Sequence, residues 1–182
     1  MAASDGRVYS DFEEPAQNYA LLANAPALNI DLQNHVSIVH PGDSRESLWN
    51  TVSGSAQIVT EGRKTIPGYL PTGPLTPGGP LSYSNANSWY ERVNARTAIG
   101  FTRDGRTVVL LTVDWMTVGE VADLLIRDYG VWEALNLDGG GSTSLAMEDA
   151  ETHFRTLIRT NQDSPPGRDV GSSLAVFATG LP

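Results

Sequence analysis

Apolar and polar positions alternate most clearly over residues 27–39, ALNIDLQNHVSIV, where Leu28, Ile30 and Leu32 share one face and Val36 and Ile38 resume the pattern. A period of two marks a half-buried strand. The stretch therefore predicts two strands joined around Gln33-Asn34-His35, with Asn34 suited to the turn. Residues 54–66, GSAQIVTEGRKTI, predict strand, Glu-Gly turn and strand. In residues 96–114, RTAIGFTRDGRTVVLLTVD, two β-rich runs flank Asp104-Gly105, a dipeptide that takes positive φ in a tight hairpin. The run VVLLTV is apolar on both faces, which predicts a central strand covered on both sides.

The period then changes. Residues 117–130, TVGEVADLLIRDYG, place Val118, Val121, Ala122, Leu125 and Tyr129 on one helical face. Thr117 and Glu120 stand at capping-box spacing, and Gly130 suits the position just past the helix end. Strands are predicted again at 133–138 and 143–147, and at 171–179, GSSLAVFAT, which would close the sheet. A short helix over 43–52 would be capped by Asp43 or Ser44, and residues 1–26 carry weak signals. Residues 67–90 are too rich in proline and glycine for regular structure, and predict a long loop that either covers a substrate or runs over the surface. Strands, one helix, then strands is the order of a single α+β domain over 1–182, with a mixed or antiparallel sheet and few helices.

Composition narrows the function. The 182 residues carry a formal charge of −9 with no Lys/Arg cluster, so nucleic acid is not an expected partner. There is no cysteine, which excludes disulfides, thiolate zinc sites and a cysteine nucleophile. No apolar run approaches the roughly 18 residues of a membrane span. The first residues, MAASDGRVYSDFEEP, lack the basic and apolar regions of a signal peptide, so the expectation is a cytoplasmic protein or the mature part of an exported one.

Candidate chemistry centres on NLDGGGSTS, residues 136–144. A predicted strand ends in Asp138, and Gly139, Gly140 and Gly141 follow with no side chains in the way. Successive N–H groups in such a loop can converge on an anion, with Ser142 and Thr143 adding hydroxyl donors. The plainer alternative is a tight turn in which Asp138 and Ser142 bond their own backbone. A phosphate-binding P-loop is excluded, since its lysine and following helix are missing. His35, His40 and His153 are dispersed at no ligand spacing. The aromatics at 83–90 suit either a sugar face or loop anchoring.

RTAIGFTRDGR…LLTVD, MTVGEVADLL, ALNLDGGGSTSL and GRDVGSSLAVFA, in this order and after VSGSAQIVTEGR, resemble the phosphodiester glycosidase family over residues 50–178. The resemblance implies hydrolysis of sugar-1-phosphodiesters such as GlcNAc-1-phosphate linkages in glycans, in an extracytoplasmic setting such as bacterial envelope polysaccharide processing. It implies catalytic roles for Asp138, Asp114 and Arg96, the guanidinium suiting a pair of phosphodiester oxygens. Substrate-binding roles fall on Asn136, Gly139, Gly140, Gly141, Ser142, Thr143 and Arg168, with Asn161 in the loop before Arg168. The alternatives are that Arg96 is a surface strand residue or pairs with Asp114, and that Asp114 serves the start of the helix. No cofactor is assigned; a divalent cation near Asp138 would be shared by two carboxylates and a phosphate.

Two departures from the family's pattern bear on the expectation. The upstream Asn-Gly-Gly-aromatic segment is missing, and Asp114 runs through Trp115 straight into Met116-Thr117, where relatives carry a longer glycine-rich loop. The chain would then be a C-terminal portion of the domain or a degenerate relative, its open sheet edge covered by homo-oligomerisation. A non-catalytic glycan- or phosphate-binding module and a purely structural fragment are the rival readings.

Overall fold

The computed structural model describes residues 1–12, 26–66, 68–69, 83–84, 91–160 and 173–177. Within them lie two five-stranded sheets and one α-helix, an α+β arrangement dominated by antiparallel pairing. The first sheet holds β1 (Ala2–Ser4), β2 (Arg7–Ser10), β3 (Ala27–Ile30), β4 (Val36–Val39) and β5 (Asn50–Ser53), in the order β2-β1-β5-β3-β4. The second is built from β6 (Ala56–Thr60), β7 (Arg63–Lys64), β10 (Asn94–Thr102), β11 (Val108–Met116) and β12 (Val131–Asn136), in the order β11-β10-β12-β6-β7. Between β7 and β10, β8 (Gly68–Tyr69) and β9 (Tyr83–Ser84) pair in parallel. The helix α1 (Val118–Tyr129) joins β11 to β12, and β13 (Ser144–Glu148) pairs with β14 (Arg155–Thr160) beyond them.

Three layers result. One face of the second sheet packs on α1 through Ile58, Val59, Ala98, Val131 and Ala134. Its other face meets the first sheet, where Leu28 lies with Ile99, Phe101 and Leu135. The period of two makes both contacts possible: Ala98 points to the helix while Ile99 points to the other sheet. Val118, Val121 and Leu125 are fully buried on the helix side, worth about 1.5–3 kcal/mol each as removed apolar surface.

The punctuation of α1 is as its sequence predicts. The Thr117 side chain accepts from the Glu120 N–H while the Glu120 carboxylate accepts from the Thr117 N–H, and Gly130 ends the helix in the left-handed region at φ 61°. Tyr129 departs from the expected buried stripe and is exposed. The 27–39 hairpin forms with Asn34 at φ 64°, and the Asp31 carboxylate holds the turn by accepting from the N–H groups of Gln33 and His35. Glu61-Gly62 turns β6 into β7 as expected.

Several expectations fail, each for a physical reason. Residues 43–49 are not helical: buried Asn29 accepts from Trp49 N–H at 3.0 Å and donates to Ser47 C=O at 3.0 Å, so this segment makes a single turn, closed by Leu48 N–H to Arg45 C=O, on its way into β5. Asp43 accepts from the preceding His40 N–H instead of capping forward. The 96–114 hairpin forms, but of its central dipeptide only Gly105 takes positive φ, in a longer loop closed by Thr102 N–H to Thr107 C=O. Among the described residues β11 is an edge strand and not a central one: Val109, Leu111 and Val113 pack toward α1, while Leu110 is 41% exposed. A run apolar on both faces does not distinguish the two positions. Residues 173–177 carry no strand, although Leu174 packs between the sheets. The N-terminal residues, weak in pattern, form β1 and β2. Apart from the β8–β9 pair, the 67–90 loop lies outside the described residues.

Candidate functional site

Pairing of the second sheet gathers the candidate residues at one end. β10 runs antiparallel to both β11 and β12, so the C-terminal ends of those two strands flank its start. Ala98 lies between Leu111 and Asn136, which puts Arg96, Val113 and Asp138 nearly level. Asp114 and Asp138 therefore stand at the same sheet end but are not on neighbouring strands. With β10 between them, their backbones are about 10 Å apart, two strand spacings. Both side chains are exposed. Val113 packs toward the helix, so alternation places Asp114 on the opposite face. Trp115 follows at φ 51° and 77% exposed, where the β10–β11 register shifts between Asn94 and Arg96.

The glycine stretch is a short 3-10 turn over Gly140–Ser142. Its amides are partly spoken for. Gly139 N–H donates to Asp138 Oδ1 at 2.9 Å, Ser142 N–H to Gly139 C=O, and Thr143 N–H to Gly140 C=O, both at 3.1 Å. These three N–H groups thus bond within the loop, as in the plainer turn. What the turn does is orient the Asp138 carboxylate through one of its oxygens.

The glycines also let this loop approach β10. A Cβ on Gly139 would lie 2.8 Å from the Ala95 carbonyl oxygen and 3.8 Å from Arg96 Cδ. Gly140, at φ 58°, faces the Asn94 carboxamide: a Cβ there would lie 3.3 Å from Asn94 Nδ2. Thr143 is fully buried, and the Thr97 hydroxyl donates to its oxygen at 3.4 Å. It fastens the far end of the turn to β10 and does not face solvent.

Arg96 lies beside the glycines, but its guanidinium is drawn under the surface. At 6% exposure it donates from Nε to Met116 C=O at 3.2 Å and from a terminal nitrogen to Arg92 C=O. Burial pushes its pKa below the ordinary arginine value. These bonds tie the end of β11 to the loop ahead of β10, so Arg96 is not a surface strand residue. Asn136 is likewise internal at 3% exposure. Its Nδ2 donates to Ser55 Oγ and Leu137 C=O, both at 2.8 Å, while its C=O accepts from Ser55 N–H. Asn136 Oδ1 is buried without a hydrogen-bond partner. Asn136 and Ser55 clamp the end of β12 to the crossing between the sheets, where a side chain on Gly54 would collide with the Asn136 carbonyl.

Arg168 and Asn161 lie outside the described residues. Among the described residues no three His, Asp or Glu side chains gather as a metal would need, and no helix is long and apolar enough to cross a membrane. His35, His40 and His153 sit at the surface, each beside an acid. Sequence reasoning missed Asn94 and Ser55. Ser55 sits in the VSGSAQIVTEGR segment already singled out, and Asn94 stands two residues before Arg96. Neither is recognisable as a site neighbour until the β6–β12 and β10–β12 pairings are known.

A sandwich of two sheets backed by a helix, with a carboxylate and a glycine turn at one sheet end, defines a class of α+β proteins carrying a polar site at the strand termini. Within that class the sequence is decisive: the phosphodiester glycosidase family profile matches residues 2–177, and the chain belongs to that family. Among solved structures, it is similar to the zebrafish N-acetylglucosamine-1-phosphodiester alpha-N-acetylglucosaminidase catalytic domain auto-inhibited by its pro-peptide, at 20% identity and a TM-score of 0.49. That match covers 67% of this chain and 42% of the zebrafish one, so the chain spans less than half of its length. A hypothetical protein from Synechocystis is similar at 24% identity and a TM-score of 0.43, over 62% of this chain and 19% of the other. A search of curated proteins returns no match.

Proposed function

We propose that this protein hydrolyses the glycosidic bond of sugar-1-phosphodiesters of the GlcNAc-1-phosphate kind in glycans, with Asp138 as the base. Family membership supports the reaction class. The observation that carries the assignment to Asp138 is its exposed carboxylate, oriented by the Gly139 N–H at the mouth of the glycine turn. In this reading Asp138 takes a proton from water as the water oxygen bonds to the anomeric carbon. The C1–O bond breaks, and the phosphomonoester leaves with the electron pair. A phosphate ester is a good leaving group, so protonation by a second acid is a lesser requirement. Asp114, one strand beyond β10, is placed to flank the same sheet end.

A second reading has one observation in its favour. The guanidinium expected to neutralise the phosphodiester is committed to two backbone carbonyls, which suits a glycan- or phosphate-binding module without turnover. Incubation with a GlcNAc-1-phosphodiester in 18O-labelled water separates these readings. The enzyme releases reducing sugar carrying the label at C1; a module binds the diester and releases nothing. Label in the phosphate would mean P–O cleavage and would end the glycosidase assignment.

A further inference from the structure

We infer that Asn94 is a substrate-binding residue of this site, its side-chain NH2 donating to a non-bridging phosphoryl oxygen of the diester held beside Asp138. The inference rests on the glycan-phosphodiester reading above for the identity of the ligand, but its geometry stands apart from it.

Asn94 is exposed at the first position of β10, across from the glycine turn. Its Oδ1 accepts from the Ala95 N–H at 2.9 Å, which fixes the plane of the carboxamide. With the oxygen so held, Nδ2 is turned toward Gly140, 3.3 Å from where a Cβ would stand. No hydrogen bond of Nδ2 exists among the described residues, so an oriented donor is left facing the turn. Gly140 keeps that space open, since any side chain there would press on the amide. Asp138 supplies a carboxylate oriented by the adjacent Gly139 N–H. Donor and carboxylate thus line the same turn while Arg96, the expected cation, is withdrawn beneath it. A diester monoanion approaching an aspartate needs a donor between the two negative charges, and a hydrogen bond to a charged oxygen is stronger than a neutral one.

The test uses Asn94→Asp, which keeps an oxygen for the Ala95 N–H and nearly the same volume but replaces the donor with a charge. The probe is a non-hydrolysable C-glycosidic phosphonate monoester of N-acetylglucosamine, titrated calorimetrically into the wild-type chain and the variant. The expected result is binding by the wild type and a loss of about tenfold or more in N94D, with the unfolding temperature changed by no more than about 2 °C. Equal binding by the two proteins, or no binding by the wild type at millimolar probe, overturns the inference. If N94D does not fold, Asn94→Ser replaces it: a serine hydroxyl still bonds nearby backbone but falls short of the turn, and the same weakening is expected. Probe binding that depends on Asn94, without hydrolysis of the cleavable diester, would remove the enzyme assignment and leave Asn94 as a ligand residue.

Discussion

Replacing Gly139 by alanine adds one methyl group where the backbone itself has no need of glycine. Its φ of −129° is ordinary extended geometry, so any effect comes from space alone. The new Cβ would stand 2.8 Å from the Ala95 carbonyl oxygen, closer than the 3.0 Å that real Cβ atoms respect, with Arg96 Cα and Cδ behind it at 3.8 Å. The obstacle is the backbone of β10, which cannot swing away as a side-chain tip would. Either the turn lifts off the strand by a few tenths of an ångström or the strand end gives. Overpacking of this sort costs about 1–3 kcal/mol. For a chain of this length each kcal/mol lowers Tm by roughly 2–4 °C, so a drop of about 3–10 °C is expected by circular dichroism. Because Asp138 is oriented by the displaced N–H, turnover of a GlcNAc-1-phosphodiester should fall with it. Gly140→Ala is the informative companion. It is strained at φ 58° by about 1 kcal/mol, but its neighbour is the movable Asn94 amide. A G139A protein that melts within about 1 °C of wild type and turns over normally would refute the close approach of turn and strand.

Two further substitutions test the frame around the site. Arg96→Ala leaves the Met116 and Arg92 carbonyls without their charged donor and is expected to destabilise the fold by about 2–4 kcal/mol in urea titration; an unchanged midpoint would mean that those bonds hold nothing together. Thr117→Ala breaks the capping box and should cost about 1 kcal/mol near neutral pH. The pH dependence follows from Glu120, whose carboxyl is held below its ordinary value of 4.5 first by the residue-117 N–H, which alanine keeps, and then by the Thr117 hydroxyl, which it removes. A depressed acid stabilises the fold above its unfolded value and loses that contribution as pH falls through the lower folded one. The gap between wild type and T117A should therefore be full above about pH 5 and narrow on acidification; a gap independent of pH down to about 3 would contradict it.

How much of this could be read from the sequence depended on whether the controlling interaction was local. The α1 helix was legible to the residue because Thr117, Glu120 and Gly130 act within a turn of one another. The hairpins at Asn34 and Glu61-Gly62 were legible for the same reason. The 43–52 segment was not, since Asn29, some twenty residues away, takes the backbone groups that a helix would have used. Nor was the edge position of β11, because VVLLTV is equally apolar in either setting. At the site, the ends of their strands put Asp114 and Asp138 at one edge of the sheet, as the pairing has them. The sequence did not reveal that Arg96 and Asn136 turn inward, that Asp114 and Asp138 are separated by a strand, or that Asn94 faces Gly140. Each of those facts is set by cross-strand register, which composition and spacing do not encode.

The central claim is that the Asp138 carboxylate performs the proton transfer at the glycine turn, and the most direct measurement is kcat for a GlcNAc-1-phosphodiester in wild type and Asp138→Asn. Asparagine keeps an oxygen for the Gly139 N–H, so the turn and the unfolding temperature should be preserved. Removing a general base is expected to lower kcat by about 100- to 10,000-fold with KM little changed. An Asp138→Asn protein that folds as wild type and retains its full kcat would contradict the account.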